Sequence, residues 1–202
     1  MRARTRAQAL THAPLSLHPP SLPQGPRALL FDAAGSLFFT DAGPEGDTGL
    51  HNRAGSVFVI VGEGASRLLR PVALRCLANP TGIALSASGS AVFVAEAAEN
   101  RVLRYTQRPP GVWHGAVFHT FAGCLGPSAL VCDAARGLLY VARPEVPDAG
   151  ARGVVSVLSM EGALLKEFEV PTADVSALAL SPDGTRLLVA DATADSVVSI
   201  LL

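Results

Sequence analysis

One unit recurs four times along the chain: a short apolar strand, a turn of small and polar residues, and a second apolar strand. The first copy reads Ala28-Leu29-Leu30-Phe31, Asp32-Ala33-Ala34-Gly35, Leu37-Phe38-Phe39-Thr40-Asp41. The second reads Ile83-Ala84-Leu85, Ser86-Ala87-Ser88-Gly89-Ser90, Ala91-Val92-Phe93-Val94-Ala95-Glu96. The third reads Ala129-Leu130-Val131-Cys132, Asp133-Ala134-Ala135-Arg136-Gly137, Leu138-Leu139-Tyr140-Val141-Ala142-Arg143. The fourth reads Ala177-Leu178-Ala179-Leu180, Ser181-Pro182-Asp183-Gly184, Leu187-Leu188-Val189-Ala190-Asp191. Asp41, Glu96, Arg143 and Asp191 close the second strand of each copy, at separations of 55, 47 and 48 residues. Apolar runs punctuated by Gly, Ser and Asn are the signal of antiparallel hairpins. A period of roughly 40–50 residues with four strands per unit marks a propeller array. The expected fold is all-β, a β-propeller built of four-stranded antiparallel blades.

Composition agrees with blades that cover each other. Of 202 residues, 49% are hydrophobic and 16% charged, as suits sheets buried on both faces. No apolar run approaches the ~20 residues of a membrane helix, so no membrane span is expected. A net charge of −1 gives no reason to expect a nucleic-acid partner. Cys76, Cys124 and Cys132 are odd in number and lack Cys-x-x-Cys spacing. They read as small buried hydrophobes in a reducing compartment, which favours a cytoplasmic setting; one disulfide and a reactive thiol is the alternative.

Four blades are expected over 28–75, 82–122, 128–170 and 175–202, the last of them one strand short. Residues 1–27 differ: Arg2, Arg4, Arg6 and Arg27 occur with no acidic residue, and five prolines exclude a long helix. This leader reads as a disordered extension, as the start of a truncated gene product, or as an organelle transit peptide. Its only strand-like run, Leu15-Ser16-Leu17, is too short to complete the fourth blade, which leaves an open edge where another chain could pair. At the loop 42–52, Glu45, Asp47 and His51, with Asp41 just before it, carry oxygen and nitrogen donors for a divalent ion, although a solvated acidic loop is the simpler reading. Pro109-Pro110 beside the only tryptophan, Trp113, reads as a loop whose indole caps the blade, or as a docking element. His114 and His119 are expected at the surface, at or beside an outer strand.

Leu77-Ala78-Asn79-Pro80-Thr81-Gly82-Ile83-Ala84-Leu85-Ser86, Val92-Phe93-Val94-Ala95-Glu96-Ala97 and Arg101-Val102-Leu103-Arg104-Tyr105 resemble strictosidine-synthase-like propellers, which group with the gluconolactonase and senescence-marker proteins. Gly35-Ser36-Leu37-Phe38-Phe39-Thr40-Asp41, Gly126-Pro127-Ser128 and Pro182-Asp183-Gly184 resemble the recurring blade motif of the same group. The likeness covers about 28–202. It implies a six-bladed pattern, of which about four blades are present here. It also implies an axial divalent metal, usually calcium, and hydrolysis of a small-molecule lactone or ester.

The metal pattern departs from that implied by the resemblance. Thr81 stands where relatives carry Asn, Ser128 where they carry Asp, and Arg27 falls near the position of a further Asn. Hydroxyls are poor ligands for a hard cation, and a guanidinium repels it. Arg27, Thr81 and Ser128 are thus expected to line an axial pocket with no metal. Two carboxylates are candidates for catalysis. Asp174 precedes the fourth inner strand, where strictosidine-synthase chemistry needs an acid; a turn cap is its simpler role. Glu96 is the other, with a local salt bridge as its simpler role. The expectation is an ancestral metal-dependent hydrolase with weakened or lost activity, or else an interaction module that meets a protein partner at the propeller face or open edge. A closed four-bladed ring is also formally allowed.

Overall fold

A strand whose two faces both meet neighbouring sheets has no reason to alternate polar and apolar residues. Ala91–Glu96 and Leu138–Arg143 are such continuous runs, and each is the second strand of its sheet. The computed structural model describes residues 23–44, 46–123, 125–146, 150 and 152–202. It is all-β, with four antiparallel sheets in chain order. The first contains β1 (Pro26–Phe31), β2 (Leu37–Asp41), β3 (Gly55–Val61) and β4 (Leu68–Leu77). The second contains β5 (Pro80–Leu85), β6 (Ala91–Glu96), β7 (Arg101–Gln107) and β8 (Trp113–Thr120). The third contains β9 (Ala129–Asp133), β10 (Leu138–Arg143), β11 (Val154–Ser159) and β12 (Leu164–Glu169). The fourth has three strands, β13 (Val175–Leu180), β14 (Arg186–Asp191) and β15 (Ser196–Leu201). We call these sheets blades 1 to 4.

Each blade is a meander whose first strand lies innermost, and β1, β5, β9 and β13 run side by side along one axis. Register repeats with the sequence. Leu29 faces Phe39, Ile83 faces Val94, Leu130 faces Val141 and Leu178 faces Val189. The core is three inter-blade layers. Phe38, Val57 and Val59 meet Ile83, Val94 and Tyr105; Phe93 and Val102 meet Leu130 and Leu139; Tyr140 and Val155 meet Leu187 and Val189. Glycines set the spacing between blades. A Cβ on Gly82 would lie 2.9 Å from the Ala129 Cα, so only a bare backbone fits where β5 passes β9.

Several expectations change. β1 takes in Pro26 and Arg27, and β8 begins at Trp113. Trp113 stands edge-on to Phe38 of blade 1, centroids 6.0 Å apart at 90°, so it caps an inter-blade layer. Cys132 is half-buried, as a small hydrophobe should be, but Cys76 is exposed on β4; Cys124 and residues 1–22 lie outside the described residues. Nor do the described residues close a four-bladed ring, because Leu29 on blade 1 and Val197 on blade 4 are 67% and 66% exposed. No helix among the described residues is long and apolar enough to cross a membrane.

Candidate axial site

Because every inner strand enters the axis at the same point of its blade, the residues at those entries converge. Arg27, Thr81, Ser128 and Asp174 line one cavity of about 510 Å³, within the size range of small-molecule pockets. Ser176 lines it too, and Leu29, Ile83, Leu130 and Leu178 form its apolar wall. Ser176 was missed in the sequence. Counting back four residues from Phe31, Leu85, Cys132 and Leu180, which end the inner apolar runs, reaches Arg27, Thr81, Ser128 and Ser176 in turn.

The hydroxyls of this ring are engaged between blades. Thr81 Oγ1 donates to the Pro127 carbonyl at 2.7 Å, and Ser128 Oγ donates to the Val175 carbonyl. One strand further out, Thr40 Oγ1 accepts the Ala28 amide at 3.1 Å and donates to the Thr81 carbonyl at 3.2 Å. Each joins one blade to the next through a carbonyl of the neighbouring blade. Half-buried Asp174 accepts the Thr193 hydroxyl on Oδ2 at 3.1 Å. Its second oxygen has no partner among the described residues, so the turn-capping role and a place on the cavity coexist.

Glu96, the other catalytic candidate, is not among the cavity-lining residues. It is fully buried: Oε1 accepts the Ala78 amide at 2.6 Å and Oε2 the Arg101 Nε at 2.7 Å. A charge so buried must be paired and hydrogen-bonded, and here it fastens the segment that enters blade 2. The residues that end β2 and β10 do the same. Asp41 Oδ1 accepts the Gln24, Gly25 and Gly43 amides at 3.0, 2.6 and 3.2 Å. Arg143 reverses the polarity and donates to the Ala122 carbonyl at 2.5 Å, with its guanidinium 4.7 Å from the Phe121 ring centroid. Asp41, one of the metal candidates at the loop 42–52, is thus turned inward as a backbone acceptor, and Asp47 is exposed. Glu45 lies outside the described residues, and His51 is exposed. His119, expected at the surface, is half-buried and bonds the Gly162 carbonyl at 2.8 Å, joining β8 to the outer turn of blade 3.

The cavity can hold a small polar molecule against an apolar wall, but its donors do not fit a hard divalent ion. Calcium takes about six to eight oxygens, several of them charged. Here the lining offers one carboxylate and one guanidinium, and two hydroxyls already serve neighbouring carbonyls. Among the described residues no group of three or more His, Cys, Asp or Glu is placed to hold a metal.

Consecutive four-stranded meanders around a shared axis define a β-propeller repeat protein. The sequence model of the SMP-30/gluconolactonase/LRE-like region matches residues 24–198. The chain belongs to that family. No curated protein matches it. The calcium-binding protein regucalcin from Agrobacterium tumefaciens is similar in structure, with 24% identity and a TM-score of 0.65 over 81% of this chain and 52% of that one. A gluconolactonase from Xanthomonas campestris is similar at 22% identity and a TM-score of 0.63, over 82% and 54% of the two chains. A luciferin-regenerating enzyme is similar at 21% identity and a TM-score of 0.66, over 81% and 52%. At such identities the likeness is one of fold. The chain spans about half the length of these structures.

Proposed function

We propose that the axial cavity binds a small lactone or ester, and that the hydrolysis ancestral to this scaffold is weakened or lost in this chain. The observation that carries the reading is the use of the Thr81 and Ser128 hydroxyls as links to Pro127 and Val175 in the ring where a cation cage would need free, charged oxygens. Arg27 supplies donors to a substrate carbonyl or carboxylate oxygen. The second oxygen of Asp174 accepts from a substrate hydroxyl or holds a water, and strictosidine-synthase-type chemistry would call on the same carboxylate. The apolar wall takes the carbon skeleton. With no metal to polarise the carbonyl, one guanidinium and one carboxylate give orientation and little rate enhancement.

The test is calorimetry and turnover on one preparation, with a δ-lactone and an aryl ester as probes. Binding is expected to weaken in Arg27→Gln and Asp174→Asn. Turnover is expected near the uncatalysed rate and unchanged by calcium or a chelator. Absence of binding by either probe removes the pocket reading, and calcium-dependent turnover removes the claim of weakened activity.

A further inference from the structure

The axis carries a second cavity beyond the polar ring. It measures about 260 Å³ and lies at the other end of the inner strands, where Phe31, Leu85 and Cys132 end the apolar runs of β1, β5 and β9. Ile83 and Leu130 line both cavities, so the two meet midway along those strands. Arg27 to Phe31, Thr81 to Leu85 and Ser128 to Cys132 are each four residues of extended chain, about 13 Å at ~3.3 Å per residue. Ile83, Leu85, Leu130 and Cys132 belong to blades 2 and 3, which have a neighbouring blade on each side.

The two ends of the axis differ in chemistry. The first cavity has Arg27, Thr81, Ser128, Asp174 and Ser176 in its lining. The second is lined only by Leu, Ile, Val, Ala, Phe and Cys, with no charged, amide or hydroxyl side chain among the described residues. A sugar hydroxyl placed there finds no side-chain partner for the hydrogen bonds it gives up to water. A methylene buried there gains about threefold in affinity. Burial also pushes the Cys132 thiol above its ordinary value, as apolar surroundings do.

We infer that the ligand of the axial site is an amphiphile, a lactone or ester bearing an unbranched alkyl or acyl chain of medium length. Its carbonyl lies at the Arg27 and Asp174 end, and its chain runs along the axis past Ile83 and Leu130 to Cys132. This rests on the reading of the axial cavity as a lactone or ester pocket and narrows it, setting polyhydroxylated sugar lactones aside.

Calorimetry on the full chain tests this with δ-lactones bearing no chain, a propyl chain or a pentyl chain, and with a sugar δ-lactone alongside. Affinity is expected to rise about threefold per methylene, and the sugar lactone to bind no tighter than the unsubstituted ring. Peptide mass spectrometry after iodoacetamide treatment gives a second readout. The pentyl lactone should slow alkylation of Cys132 in proportion to occupancy and leave exposed Cys76 unchanged, and the unsubstituted ring should slow neither. Cys132→Met, which fills the far end, should flatten the rise with chain length while the unsubstituted ring binds as to wild type. Circular dichroism checks its fold, and where that variant fails to fold the alkylation result decides. Equal affinities across the chain series, with the unsubstituted ring bound, overturn the inference and leave the lactone pocket standing. No binding by any of the lactones removes both. A rise with chain length that leaves Cys132 unprotected overturns the inference too, because the chain then lies elsewhere. So does a Cys132 that iodoacetamide cannot reach in the free protein, or a sugar lactone that binds tighter than the pentyl compound.

Discussion

Thr81 Oγ1 donates to the carbonyl of Pro127 across the gap between blades 2 and 3 at 2.7 Å. That bond makes the hydroxyl an inter-blade link in the ring of inner-strand entries that lines the axial cavity. Thr81→Val keeps the shape and removes the donor, leaving the Pro127 carbonyl unpaired. We expect a loss of about 1–3 kcal/mol in urea unfolding, with Thr81→Ser close to wild type. Equal stability of all three proteins would show that the link contributes nothing.

Glu96 should prove a structural residue. Glu96→Ala strands the Ala78 amide and leaves Arg101 without its buried partner. Removing one member of a buried pair costs about 3–5 kcal/mol, and the low end applies because the Arg101 side chain keeps 22% of its exposure. Unfolding curves check this, and lactone binding by the variant at a temperature where it is folded should be unchanged.

The two innermost strands of each blade were readable in the sequence because each is a mostly apolar run between turn residues, and Arg27, Thr81 and Ser128 were expected together because a repeat places equivalent positions at one end of its axis, where they line a cavity with Asp174. The partners of those residues were not. Whether Glu96 faces the axis or the segment entering its own blade depends on the turn after β6, and the reach of Thr40 to Thr81 depends on how closely blades 1 and 2 approach. Neither distance is written in local pattern. Trp113 was ambiguous for the same reason: its partner Phe38 is on another blade.

Gly82→Ala tests that close approach. The new Cβ would meet the Ala129 backbone at 2.9 Å, where no flexible side chain can yield. Overpacking of this kind costs about 1–3 kcal/mol. Gly89→Ala is no neutral control, since Gly89 has φ of +67° and alanine there is strained by its backbone. Ala87→Ser, in an exposed turn position, is the appropriate one and should leave the melting temperature unchanged.

The turn of blade 4 contributes an acid-sensitive element. The Ser181 hydroxyl, then the Thr185 amide and hydroxyl, hold the Asp183 carboxyl down to about 2 from 3.8. The folded-state value lies below the unfolded one, so the contribution is complete above about pH 3.8 and fades as the pH falls toward 2. The melting temperature of the wild type should therefore fall more over that window than that of Asp183→Asn. Parallel pH profiles would contradict the assignment.

Calcium titration by calorimetry tests most directly whether the axis has exchanged its cation cage for inter-blade links. With Arg27, Thr81, Ser128, Asp174 and Ser176 as its polar lining, the protein should show no saturable heat at micromolar calcium. Saturation in that range at one ion per chain, abolished by Asp174→Asn, would contradict it.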